Sequence, residues 1–162
     1  MEKIASFTVD HIRLSRGVFV SRIDRFGDTV LTTFDLRFKE PNREPVIDMP
    51  VMHTFEHLGA TFLRSHTVWG HSIVYFGPMG CRTGFYLIVA GAYKSVDILP
   101  LIQEMLEWII HFEGDIPGAA PSDCGNWREH NLEMTRYEAV RYQEVLQKPA
   151  EHNLRYPCEV RC

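Results

Sequence analysis

Nothing in this chain of 162 residues approaches the ~20 consecutive apolar residues that a membrane span requires. The apolar stretch at 105–110 is broken by Glu107. Positive charge is also scarce: 17 Lys and Arg stand against 21 Asp and Glu, for a formal charge of −4. No basic stripe marks a nucleic-acid footprint. The opening residues lack the basic-then-apolar order of a secretory leader, so a cytoplasmic protein is expected. Cysteine is sparse, with Cys81, Cys124, Cys158 and Cys162 only. An even number fits two disulfides, but that pattern belongs to small secreted chains; free thiols or metal ligands are expected here. Repeats and low-complexity tracts are absent. What remains is 45% hydrophobic and 23% charged, an ordinary composition for one domain with a buried core.

The patterning predicts alternating elements. Residues 17–26 and 28–38 read as a hairpin, with Gly27 and Asp28 at the turn between runs rich in Val, Phe, Ile and Thr. Val30, Thr32, Phe34, Leu36 and Phe38 fall on one face, and Asp35 and Arg37 point away from it. Pro50 suits the first turn of a helix reaching about Ser65, with Phe55, Leu58 and Phe62 as its core stripe. Residues 72–76 and 85–90 read as strands. A helix over 96–112 follows, with Ser95 or Asp97 as N-cap and Pro100 in its first turns. A last helix starts at the N-cap Asn131 and ends near Gln147, before Pro149. The fold class expected is α+β, with helices packed on one face of a mixed or antiparallel β-sheet.

One of these helices carries a chemical motif. His53 and His57 are four residues apart, so their imidazoles lie one above the other on one helical face and can reach one metal ion. Glu56 projects beside them and can move protons. The order H-x-x-E-H inverts the commoner H-E-x-x-H of zinc hydrolases. A catalytic metal takes three protein ligands and keeps a position open. Cys81, Cys124, His111, His130 and the C-terminal cysteine pair are candidates for the third. Cys81 and Cys124 both sit in glycine-flanked loops. The bland alternatives are two surface histidines, an inert Cys81 thiol, and unrelated thiols at Cys158 and Cys162 in a mobile end. His66, His71 and His152 read as solvent-exposed, and His111 as a charge at a helix C-terminus. Arg37 reads either as an ion pair with Asp35 or as part of a solvated edge.

Five blocks go beyond spacing. They are the run from Ser6 to His11, Phe34-Asp35-Leu36-Arg37-Phe38, His53-Thr54-Phe55-Glu56-His57-Leu58, the run from Pro78 through Cys81 to Tyr86, and Cys124-Gly125. In this order they resemble the S-ribosylhomocysteine lyase family, known as LuxS. The resemblance implies a homodimeric, inverted-zincin-like metalloenzyme. Its single domain would span 1–148, with 149–162 a C-terminal tail outside the likeness. It implies Fe2+, replaceable by Zn2+ or Co2+, held by His53, His57 and Cys124; ligand softness alone favours zinc. Cys81 and Glu56 would be the acid–base pair. Ser6, His11, Arg37 and Tyr86 would bind S-ribosylhomocysteine across the subunit interface. Tyr75 and Gly77 stand where the family pattern has an acidic residue and a serine. The chemistry implied is migration of a carbonyl along the opened ribose, then β-elimination to homocysteine and a dihydroxypentanedione, the precursor of a quorum-sensing signal. Two competitors remain. A metallopeptidase needs a carboxylate as third ligand and no Cys81; a metal sensor needs Cys81 as a fourth, closing ligand.

Overall fold

The computed structural model describes residues 8–157, so the expectations for Ser6, Cys158 and Cys162 lie outside it. Strands β1 (Gly17–Phe26), β2 (Thr29–Arg37), β3 (Ile73–Pro78) and β4 (Gly84–Ala90) form one sheet in the order β1-β2-β4-β3. Helices α1 (Met49–Ser65), α2 (Ser95–Ile110) and α3 (Leu132–Leu146) complete an α+β fold. All three strand pairings are antiparallel, so the sheet is not mixed. The reason is topological. The crossover through α1 returns β3 in the direction of β2, but β4 is inserted between them.

Alternation decides the two faces of the sheet. Val18, Phe34, Leu36, Phe76, Phe85, Leu87 and Val89 share one core with Phe55 and Leu58 of α1 and Ile102 and Leu106 of α2. Their strand neighbours Phe19, Asp35, Arg37 and Tyr86 project from the opposite face, because successive side chains alternate. Contrary to the solvated-edge expectation, Asp35 and Arg37 are 2% and 3% exposed. Ser21 is the extra residue of a bulge between Val20 and Arg22, a device that re-aims side chains.

The helix ends follow local chemistry with one correction. Asp48 caps α1 and Pro50 sits in its first turn; Asn131 caps α3 by accepting from the Met134 N–H at 3.1 Å. The N-cap of α2, however, is Lys94 rather than Ser95 or Asp97. Asp97 lies one turn in and accepts the Lys94 N–H at 2.8 Å, while the Ser95 hydroxyl is turned to the Leu154 carbonyl. His66 is not solvent-exposed: its ring accepts the Val68 and Trp69 N–H groups and faces Glu104. His71 and His152 are exposed, as expected.

Candidate functional site

On α1 the helical period brings His53 and His57 together, with ring centroids 4.6 Å apart. The loop after residue 117 delivers Cys124, whose Sγ lies 3.3 Å from His53 Nε2. One ligand atom from each of the three residues lies within 4.8 Å of the others. Two carbonyls fix the rings. Nδ1 of His53 donates to the Glu129 carbonyl (2.9 Å) and Nδ1 of His57 to the Pro117 carbonyl (2.7 Å). A carbonyl can only accept, so both Nδ1 atoms carry the proton and both Nε2 atoms keep the lone pair that a ligand needs. Gly118 permits the second contact: a Cβ there would meet His57 Nδ1 at 3.2 Å on a backbone with φ +74°. Two imidazoles and a thiol are a sound donor set for a divalent transition metal, and three protein ligands leave a coordination position for substrate. Glu56 is partly buried in the same turn of α1, and its carboxylate makes no hydrogen bond or ion pair with the other described residues.

Of the other third-ligand candidates, His130 lies beside the triad but does not join it. Its ring stacks on His53 at 4.3 Å. Thr54 Oγ1 gives its one proton to the Pro50 carbonyl, so His130 Nδ1 must donate to Thr54 (3.2 Å). That leaves the buried His130 Nε2 without a partner among the described residues. Burial, then the neighbouring His53 and His57, hold this imidazole below its ordinary pKa. His111 is at the surface, 3.0 Å from Glu107.

A second group gathers around Cys81, in the turn joining β3 to β4. The turn is held in place: the Phe38 and Lys39 N–H groups both donate to the Thr83 carbonyl, and the Ile47 N–H donates to the Arg82 carbonyl. Arg82 adopts φ +59°, an uncommon conformation for a side-chain-bearing residue. Cys81 Sγ lies 3.1 Å from Thr83 Oγ1 and 3.9 Å from an Arg37 guanidinium nitrogen. Arg37 forks onto Asp35 (3.1 and 2.5 Å) and also donates to Thr83 Oγ1 at 2.5 Å. Burial alone would raise the Cys81 pKa. Hydrogen bonds from the Thr83 side chain and backbone, with the Arg37 charge, outweigh it and leave the thiol below its ordinary value. His11, Arg37, Cys81 and Tyr86 line one cavity of about 230 Å³, together with Ser21, Asp35 and Tyr156. His11 Nδ1 donates to the Val9 carbonyl at 2.8 Å.

The expected residues thus fall into two groups. His53, His57 and Cys124 converge with Glu56 nearby; Cys81, Arg37, His11 and Tyr86 converge elsewhere, with Arg37 and Tyr86 on the sheet face turned away from α1. Cys81 does not belong to the cluster of His53, His57 and Cys124, so among the described residues a closed sensor site lacks its fourth ligand. The third member of this cluster is a thiol rather than the carboxylate a peptidase of this type needs. Sequence reasoning missed Thr83 as the partner of the thiol and Tyr156 as part of the pocket. The only cue to Tyr156 was an aromatic followed by a proline in a polar tail.

The model of the family described as S-Ribosylhomocysteinase (LuxS) matches residues 4–153. Among curated proteins, the S-ribosylhomocysteine lyase of Porphyromonas gingivalis is 57% identical over 158 residues, 97% of this chain and 99% of that protein. The lyase of Clostridium acetobutylicum is 55% identical over 157 residues, with 97% and 99% covered. That of Borreliella burgdorferi is 51% identical over 157 residues, with 97% and 100% covered.

Proposed function

The chain belongs to the S-ribosylhomocysteinase (LuxS) family, and from that premise we propose how its two residue groups perform the reaction of an S-ribosylhomocysteine lyase. Its activity is the carbon–sulfur cleavage of S-ribosylhomocysteine. The observation that carries the reading is the His53–His57–Cys124 triad, with both Nε2 atoms unprotonated, in a chain matched along most of its length. We read the architecture as the LuxS-type, inverted-zincin-like fold.

His53, His57 and Cys124 would hold the cation, which we take as Fe2+ with Zn2+ or Co2+ as substitutes. Bound there, it supplies Lewis acidity toward a substrate carbonyl. The remaining work belongs to side chains. A thiolate at Cys81 takes the proton from a carbon beside the carbonyl, and Arg37 and Thr83 favour that charged form. Glu56 takes protons from substrate oxygens and returns them to carbon. As the carbonyl shifts along the chain, the sulfur comes to lie β to it. Removal of the α-proton then pushes the electron pair into a new C=C bond and the C–S pair onto sulfur. Homocysteine departs and a dihydroxypentanedione remains, the quorum-signal precursor. Arg37, His11 and Tyr86, with Ser6, bind the hydroxyl-rich substrate in the cavity beside Cys81.

A homodimer completes this arrangement. The triad sits among the helices, whereas Arg37 and Tyr86 face away from them. A second copy placed against that outer face brings the thiol of one chain to the triad of the other. Exposed Ile12 and Tyr75 supply apolar area for such a contact. We place the enzyme in the cytoplasm, where the thiols Cys81 and Cys124 stay reduced.

Anaerobic incubation of metal-replete protein with S-ribosylhomocysteine is expected to release free homocysteine thiol, and chelated protein is expected to release none. Silence from the metal-replete sample would overturn the reading. Metal analysis of protein purified without oxygen tests the assignment of iron.

A further inference from the structure

The family model matches up to residue 153, and the segment at and beyond that point is tied to the body of the fold. Asn153 Nδ2 donates to the Arg16 carbonyl at 2.8 Å, and its Oδ1 accepts from the Ala150 N–H at 2.9 Å. Ser95 Oγ donates to the Leu154 carbonyl at 3.0 Å. Gly17 makes room for this segment, since a Cβ there would sit 2.0 Å from the Asn153 carbonyl oxygen. These anchors lead to Tyr156. Its ring stacks on Phe19 with centroids 4.8 Å apart and planes 15° from parallel. Its hydroxyl donates to Asp35 Oδ2 at 2.8 Å.

Asp35 is where the tail meets the chemistry. One carboxylate oxygen takes the Arg37 Nε–H; the other takes both the second Arg37 nitrogen and the Tyr156 hydroxyl. Arg37 in turn reaches Thr83 and Cys81 through its remaining nitrogen. Tyr156, Asp35, Arg37 and Cys81 therefore form one connected series. Tyr156 also borders two cavities, the 230 Å³ pocket beside Cys81 and a larger one of about 610 Å³ between β1 and the start of α2. It is part of the wall of each. Burial, then the Asp35 charge, keeps its phenol protonated throughout the physiological range, so it acts only as a donor toward Asp35.

We propose that Tyr156 is a positioning residue of the lyase site: its hydroxyl fixes the Asp35–Arg37 fork that faces Cys81, and its side chain forms one wall of the substrate pocket. Two physical consequences follow. Without the hydroxyl, Asp35 keeps more of its negative charge and draws Arg37 toward itself. Both effects disfavour a thiolate at Cys81. Without the ring, the pocket beside Cys81 loses part of its wall and water enters, which weakens substrate binding.

The inference rests on the reading of the Cys81 pocket as the site, and the test separates the two. Full-length wild type, Tyr156→Phe, Tyr156→Ala and Cys81→Ser are compared by kcat and KM for homocysteine release. The pH dependence of Cys81 alkylation by iodoacetamide is followed where the thiol is present. Tyr156→Phe is expected to lower kcat about tenfold, leave KM near wild type and move the alkylation inflection to higher pH. Tyr156→Ala is expected to raise KM severalfold in addition; should it fail to fold, Tyr156→Phe decides alone. An unchanged kcat or an unmoved inflection in Tyr156→Phe, with Cys81→Ser inactive, overturns the role of Tyr156 only. Full turnover by Cys81→Ser overturns the pocket reading, and this inference with it.

Discussion

A cysteine thiol titrates near 8.5 in the absence of neighbours, so a base built on one needs help at neutral pH. At Cys81 the help is local. The Thr83 hydroxyl at 3.1 Å and the Arg37 guanidinium at 3.9 Å favour the thiolate, and together they exceed the opposing effect of burial. The sign is clear: a lowered pKa means the thiolate persists to lower pH than in an ordinary cysteine. Replacing Thr83 by Val removes the hydroxyl at nearly constant volume. The alkylation inflection of Cys81 should then move upward, and turnover near pH 7 should fall roughly two- to tenfold. Recovery of much of that rate at higher pH would show that the loss is one of protonation state. The triad obeys a similar residue-scale logic, because the Glu129 and Pro117 carbonyls choose the tautomer of each imidazole.

Helix α1 has to lie close to the sheet if the triad is to stand at a fixed place. Gly59 lets it do so, because a Cβ there would come within 2.5 Å of a ring carbon of Phe76. Phe76 cannot swing away easily, being 5% exposed and stacked on Phe85 at 5.1 Å. Helix propensity alone would make Gly59→Ala stabilising by about 1 kcal/mol. Overpacking against an immobile ring costs about 1–3 kcal/mol and should win, so denaturant titration should show a net loss of stability. Much at this scale was legible in the sequence. The hairpin of β1 and β2, the span of α1 and the Asn131 cap all follow from local periodicity and turn chemistry. The start of α2 was not legible, since Ser95 is recruited by the Leu154 carbonyl, a contact far away in sequence.

Two predictions concern the molecule as a whole. If each site takes its triad from one chain and its thiol from the other, mixing two inactive variants should restore activity. Cys81→Ala and His57→Ala, unfolded and refolded together, should regain about one quarter of wild-type turnover, because half of the dimers are mixed and one of their two sites is intact. No recovery would place both groups in one chain. The second prediction concerns the tie between the exit of β2 and α3. Lys39 and Glu138 lie 2.7 Å apart, each side chain 11% exposed. Removing one partner leaves a charge nearly buried and alone, so Glu138→Ala should cost about 3 kcal/mol or more. The double replacement Lys39→Met with Glu138→Leu should recover most of that loss.

Spacing alone was enough to put His53 and His57 on one helical face with Glu56 beside them, because the period of a helix is a property of a few consecutive residues. The alternation of β2 likewise put Asp35 and Arg37 on one side together. Cys124, 71 residues from His53, and Tyr156, 121 residues from Asp35, could be joined to them only by the folded chain. Loop closure and side-chain packing set those distances, and neither leaves a periodic trace in the sequence. Nor could alternation tell that the Asp35–Arg37 face is buried, since what covers it, Tyr156 and the turn around Cys81, arrives from distant parts of the chain.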